Sequence, residues 1–218
     1  AAIEGKTIQR TNKMPRDSGV ITNLPSSVLE RYGMVTLGID VMHINRRPFM
    51  LSVSKHIKYF QCIGTRNKSP KSFLNAFEKM KAEYMVRGFA IKIIYADRAF
   101  ITCEAELNKQ GIQLLCCDTN AHVQFVERGI RFVKERIRCV RSMLPRQIKR
   151  IPSRLMRELI ASTVKMINSI RREGGVHPVM SPRQIVAGRK LVLPPYPPGA
   201  MVYAVRGDTS NSIDEMRT

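Results

Sequence analysis

The stretch FAIKIIYADRAFITCEAELNKQGIQLLCC (89–117) decides the architecture of this chain. Residues 89–97 are almost continuously apolar, as a parallel strand buried on both faces must be. TCEAELNKQG (102–111) reads as a short helix ended by Gly111, and IQLLCC (112–117) as a second buried strand. Strand, helix and strand in that order imply a right-handed parallel crossover. The first strand ends on a carboxylate, Asp97.

Upstream, three further strands are expected. VTLGIDVMHI (35–44) is one, NRRP a hairpin turn, FMLSVSK (49–55) the second and IKYFQCIG (57–64) the third. With such short links they make an antiparallel meander. SPKSFLNAFEKMKAEYMVRG (69–88) then reads as a helix, with Ser69 as N-cap, Pro70 at the first position and Gly88 after its end. Phe73, Phe77, Met80 and Tyr84 recur at helical spacing and are core positions. Downstream, 122–144 and 152–175 read as long helices and SPRQIVAG (181–188) as a short capped one. PPYPPGAMVYAV (194–205) is expected to be a Pro-rich linker entering a strand. Residues 1–33, broken by Pro15, Gly19, Pro25 and Gly33, read as an extended basic lead-in. The division is therefore 1–33 linker, 34–190 core, and 191–218 linker with the start of a further region.

Charge narrows the class of partner. The 218 residues carry 37 Lys and Arg against 17 Asp and Glu, a net charge of +20 with pI near 10.3, while 44% apolar content suffices for a real core. Such a balance points to a polyanion, most often nucleic acid. Residues 128–172 hold fourteen Lys and Arg and two acids, Glu135 and Glu158, so +12 of the surplus lies there. The five Cys contain no CxxC pair and, with His43, His56, His122 and His177, show no zinc-ligand spacing. A reducing intracellular setting is expected, with Cys62, Cys116 and Cys139 filling core positions. No apolar run long enough for a bilayer span occurs. From AAIEGKT to SIDEMRT, the chain reads as a segment of a longer polypeptide.

Against this background three acids stand out. Asp40 lies inside the first apolar strand, Asp97 at the end of the fourth, and Glu127 at the start of the basic helix VERGIRFVKERIRCVR (126–141). A carboxylate in a buried strand is costly to desolvate unless a cation or hydrogen bonds compensate it. Hard divalent cations such as Mg²⁺ take oxygen ligands and keep several waters, so a few carboxylates suffice. Glu135, eight residues along the same helix and read as roughly on the same face, is the rival to Glu127. Asp118 closes a strand and reads as a turn or cap residue.

In order along the chain, these segments resemble the integrase catalytic core of copia-type retrotransposons. IEGKT with its basic lead-in, VTLGIDVMHIN with PFMLSVSKHIKYF, RGFAIKIIYADRAF, HVQFVERGIRFVKERIR and GGVHPVMSPRQIVAGRKL each match part of that family's pattern. The resemblance spans about residues 3–205. It implies a ribonuclease-H-like α/β fold: a five-stranded mixed sheet, three antiparallel strands then two parallel, flanked by helices. It also implies DNA 3′-end processing and strand transfer, with Asp40, Asp97 and Glu127 as catalytic residues holding two Mg²⁺ (or Mn²⁺) ions. It would make Arg131 and Lys134 contacts to the backbone of DNA, both element ends and target; Arg138 is a further DNA-binding candidate, and Arg150, Arg154 and Arg157 on the next basic helix either grip DNA or are simply exposed. Asn120 and His122, just before the helix, are placed to line the mouth of the site, His122 reading equally as a cap or surface residue. A homo-oligomer in the nucleus, with no membrane and no small-molecule cofactor, completes the expectation.

Two features depart from the family pattern: Arg98 after the second acid, where it could pair with Asp97, and Ala121 where relatives carry Glu. The interval of 29 residues between Asp97 and Glu127 is also shorter than the retroviral one. The alternative reading is a catalytically decayed or domesticated ribonuclease-H-like module that only binds nucleic acid.

Overall fold

The computed structural model describes residues 22–117, 124–142, 144, 151–171 and 173–190. A five-stranded sheet organises them, in the order β3-β2-β1-β4-β5. Strand β1 (Met34–Ile44) pairs antiparallel with β2 (Arg47–Ser54), and β2 pairs antiparallel with β3 (Phe60–Gly64). On its other side β1 runs parallel to β4 (Ala90–Asp97), which runs parallel to β5 (Gln113–Cys117). The expected pattern of three antiparallel strands followed by two parallel ones is the pattern observed.

Local chemistry explains the links. The β1–β2 hairpin turns on Asn45 (φ 50°) and Arg46 (φ 61°), between the paired Ile44 and Arg47. Two successive left-handed residues give the loop whose twist matches that of the strands. Before β3 a longer, five-residue turn intervenes, and it delays the strand to Phe60 instead of Ile57. Lys58 adopts φ 60°, its N–H donates to the Ser54 carbonyl (3.1 Å), and the Ser54 hydroxyl accepts the Tyr59 N–H (2.9 Å). Helix α2 (Pro70–Met85) starts where the Ser69 hydroxyl accepts the Ser72 N–H. The expected helix at 102–111 is two pieces, a 3₁₀ turn over Arg98–Cys103 and α3 (Glu104–Lys109).

Strand alternation builds two cores. Leu37, Ile39, Met50, Ile94 and Ala96 face α2 and α3, joined by α6 (Pro182–Val186) through Ile185 and Val186. Met42, Leu51, Val53 and Phe60 face α4 (Gln124–Ser142) and α5 (Ser153–Ser169), through Val133, Ile137, Leu159, Ile160 and Ile167. The segment 1–33, read as extended, contains a helix, α1 (Ser26–Tyr32), because Val28 finds a buried place in the first core. Helix α5 ends at Ser169, short of the expected residue 175, where Ile170 turns extended (φ −87°, ψ 126°). The strand expected after residue 194 lies outside the described residues.

The outer edge of β3 is closed by a side chain. The Phe60 N–H donates to Asn168 Oδ1 (2.8 Å), and Asn168 Nδ2 donates to the Phe60 carbonyl (2.7 Å). The amide copies a neighbouring strand and satisfies two groups that an edge leaves open. Asn168→Ala should therefore cost about 2–4 kcal/mol, since two buried polar groups lose their partners. Urea unfolding measures this, and a loss below roughly 0.5 kcal/mol would remove that role from Asn168.

Candidate active site

Asp40 follows the last β1 residue paired with β4. The parallel register runs Leu37 to Ile94, Gly38 to Tyr95 and Ile39 to Ala96. One step further along both strands stand Asp40 and Asp97. Alternation places both on the face that carries Gly38, Tyr95 and Met42, the face covered by α4 and α5. Two carboxylates thus occupy neighbouring positions at the carboxyl ends of neighbouring parallel strands, where ligands of open α/β sheets bind.

The third acid arrives with the first turn of α4. An ideal Cβ on Gly38 would lie 2.1 Å from Val126 Cγ2 and 2.6 Å from the Phe125 ring. The helix start therefore lies directly against β1, two residues before Asp40, and the next residue in it is Glu127. Phe125 also meets Tyr95 edge to face, with ring centroids 6.4 Å apart. Tyr95 in turn has the Lys55 ammonium 6.0 Å from its ring centroid.

Asp40 is half-buried, and its Oδ1 accepts the Val41 N–H at 2.6 Å. Asp97 is exposed; its Oδ1 accepts the Arg98 N–H at 2.6 Å and caps the 3₁₀ turn. Arg98 thus meets Asp97 through its backbone. Glu127, with 34% of its side chain exposed, lies 3.8 Å from the Arg131 guanidinium. Among the described residues no three His, Cys, Asp or Glu side chains are gathered closely enough to hold a metal ion. The donors nonetheless suit one in kind: Asp40 and Asp97 supply hard oxygens from neighbouring positions, as Mg²⁺ requires.

No protein-family model matches the chain, and no curated protein matches it. Among solved structures, the catalytic core domain of BIV integrase (crystal form I) matches with a TM-score of 0.53 and 14% identity, over 69% of this chain and 92% of that one. The fold is that of an integrase catalytic core.

On this integrase-core fold, α4 carries a graded surface. Val126, Gly129, Val133 and Ile137 are buried. At 100° per residue, Glu127, Arg131, Lys134, Arg138 and Arg141 share one flank of the helix. Arg131, Arg138 and Arg141 are exposed and Lys134 half-exposed. Glu135 is exposed and projects opposite the buried stripe, so it does not share the face of Glu127. Eight residues rotate it about 80° beyond Glu127, away from the sheet. Cys139 is likewise exposed, not core, because it lies off the same stripe. Arg154 and Arg157 are exposed on α5. The Arg157 Cδ lies 3.8 Å from where a Gly64 Cβ would stand, at the end of the sheet that bears Asp40. Asp118, Asn120, Ala121, His122 and Arg150 lie outside the described residues.

Sequence reading missed Arg141 and the Gly38–Tyr95–Phe125 layer. Arg141 was findable as the next member of the periodic flank. Gly38, an isolated glycine inside a strand, is itself a signal of close backbone approach.

The cysteines differ in chemistry as well as place. Partly buried Cys62 has its thiol pushed up to about 12 by burial. At pH 8 its thiolate fraction is then roughly 10⁻⁴, and the thiolate is the nucleophile. Iodoacetamide at pH 8 should label Cys139 and spare Cys62 in the folded protein, with both labelled in denaturant. Mass mapping checks this, and rapid native labelling of Cys62 would contradict its enclosure.

Proposed function

We propose that this chain is the catalytic core of a copia-type retroelement integrase. It would process DNA 3′ ends and join them to target DNA. The observation that carries the reading is the β1–β4 register, which sets Asp40 beside Asp97 on the face that receives the first turn of α4. Asp40 and Asp97 would hold Mg²⁺ or Mn²⁺, with Glu127 completing the set from α4. Two bound ions would activate the attacking oxygen and stabilise the leaving one. The chain's own residues do the rest. The flank Arg131, Lys134, Arg138 and Arg141 runs for about 21 Å away from Glu127 and offers cations to a phosphate backbone. Arg154 and Arg157 extend the basic surface from α5. Pairing in a homo-oligomer and work in the nucleus belong to the same reading. None of the described helices is long and apolar enough to cross a membrane.

A second reading has its own observation. Glu127 pairs with Arg131, and among the described residues no three ligating side chains form a metal site. On that reading the domain binds nucleic acid without cutting it. Pure protein incubated with a branched DNA substrate and Mn²⁺ decides between them. Metal-dependent strand joining that Asp40→Asn abolishes supports the enzyme, and tight DNA binding with no metal-dependent product supports the binding module.

A further inference from the structure

We infer that Gly38, Val126 and Phe125 form a seat that sets the position of Glu127. These are positioning residues acting through the first turn of α4, and the inference rests on the functional reading above. Residues two positions before each acid lie together: Gly38 before Asp40, Tyr95 before Asp97 and Phe125 before Glu127. Gly38 and Tyr95 are register partners, Phe125 touches Tyr95 edge to face, and the Phe125 ring covers Gly38. Gly38 and Tyr95 lie beneath Asp40 and Asp97 on one face of the sheet, and Phe125 seats the first turn of α4, which carries Glu127, against them. The height of that turn is fixed by hydrogen in place of a side chain, since a Cβ on Gly38 would stand 2.1 Å from Val126 Cγ2. No real Cβ tolerates that approach, so a side chain there must displace Val126 and Phe125, the residues that seat the helix start.

A second close approach lies on the next turn. A Cβ on Gly129 would come within 2.9 Å of Val53 Cγ2 and 3.1 Å of the Phe60 ring. Helix α4 therefore contacts β1 at Val126 and β2 and β3 at Gly129, and these two points determine its height and crossing angle. Beyond them the helix is held by ordinary core packing at Val133 and Ile137. Glu127 lies between the two glycine contacts, so it is the acid whose position answers most directly to them.

The test compares Gly38→Ala with Val133→Ala, a core truncation away from the seat. Amide exchange in metal-free protein should speed up at 127–130, the first hydrogen-bonded amides of α4, in Gly38→Ala and stay slow there in Val133→Ala. The Mn²⁺ concentration giving half of the thermal stabilisation should rise by about 10- to 100-fold in Gly38→Ala. Val133→Ala should melt lower yet keep the parent concentration. Gly38→Ala with Val126→Ala removes the nearer of the two clashes and leaves the Phe125 ring, so it should recover part of both properties. Phe125→Ala serves as an independent loosening of the same seat should Gly38→Ala fail to fold. If faster exchange at 127–130 leaves the Mn²⁺ response at the parent value, the inference is overturned. If the parent protein itself shows no Mn²⁺ response, the functional reading falls, and the exchange data alone then decide whether Gly38 seats the helix.

Discussion

Asp40→Asn is expected to abolish metal-dependent strand joining, lowering the rate by roughly a thousandfold or more, because the ions it would help hold supply several kcal/mol of transition-state stabilisation. Its effect on the resting fold should be small. Asp40 is half-buried, and an amide oxygen can accept the Val41 N–H as its carboxylate does. The same change should remove most of the Mn²⁺-induced rise in melting temperature. A ligand that binds only the native state at ten times its Kd adds about 1.4 kcal/mol, or roughly 3–6 °C for a domain of this size. Asp97→Asn should behave in the same way, since it stands at the neighbouring register position. Calorimetry with and without Mn²⁺, beside a joining assay on the same preparations, makes the comparison. A joining rate unchanged in Asp40→Asn would exclude this carboxylate from the chemistry, whatever the metal did to stability.

That expectation can be read from the sequence, because strand chemistry is local. Asp40 and Asp97 could be found as carboxylates in apolar runs, and the sheet order follows from one parallel crossover added to a meander. What eluded the sequence was set by contacts between distant segments. Helix α1 forms because Val28 is buried against elements far along the chain, which a segment broken by Pro25 and Gly33 does not advertise. The late start of β3 depends on Ser54 accepting two N–H groups across the turn. Asn168 reads as an ordinary helix residue until the Phe60 edge is seen beside it. On α4, counting by eights put Glu135 near Glu127, whereas the burial of Val126, Val133 and Ile137 fixes the rotation and turns Glu135 outward. Cys139 was misplaced for the same reason.

Arg131→Ala combined with Lys134→Ala is expected to weaken DNA binding by roughly a hundredfold at 50 mM salt and tenfold at 200 mM. The shrinking gap is the informative part. Each phosphate contact contributes about 0.9 to the slope of log affinity against log salt, so losing two should flatten it by about 1.8. Both side chains lie on the flank of α4 that begins at Glu127, and both reach outward, Arg131 with 81% of its side chain exposed. Their removal should therefore leave the melting temperature nearly unchanged. Arg131→Ala removes a competing cation from Glu127, so the double variant should keep its Mn²⁺ response. Lys71→Ala with Lys79→Ala is the matched control. It deletes the same charge from exposed positions on α2, across the sheet from α4, and should barely alter the slope. Fluorescence anisotropy over a salt series measures both. If the α4 variant keeps the parent slope, its lysine and arginine are merely solvated, and the DNA path follows Arg154 and Arg157 on α5 instead. If the α2 control flattens the slope equally, net charge governs binding, and no one face of the domain guides the DNA.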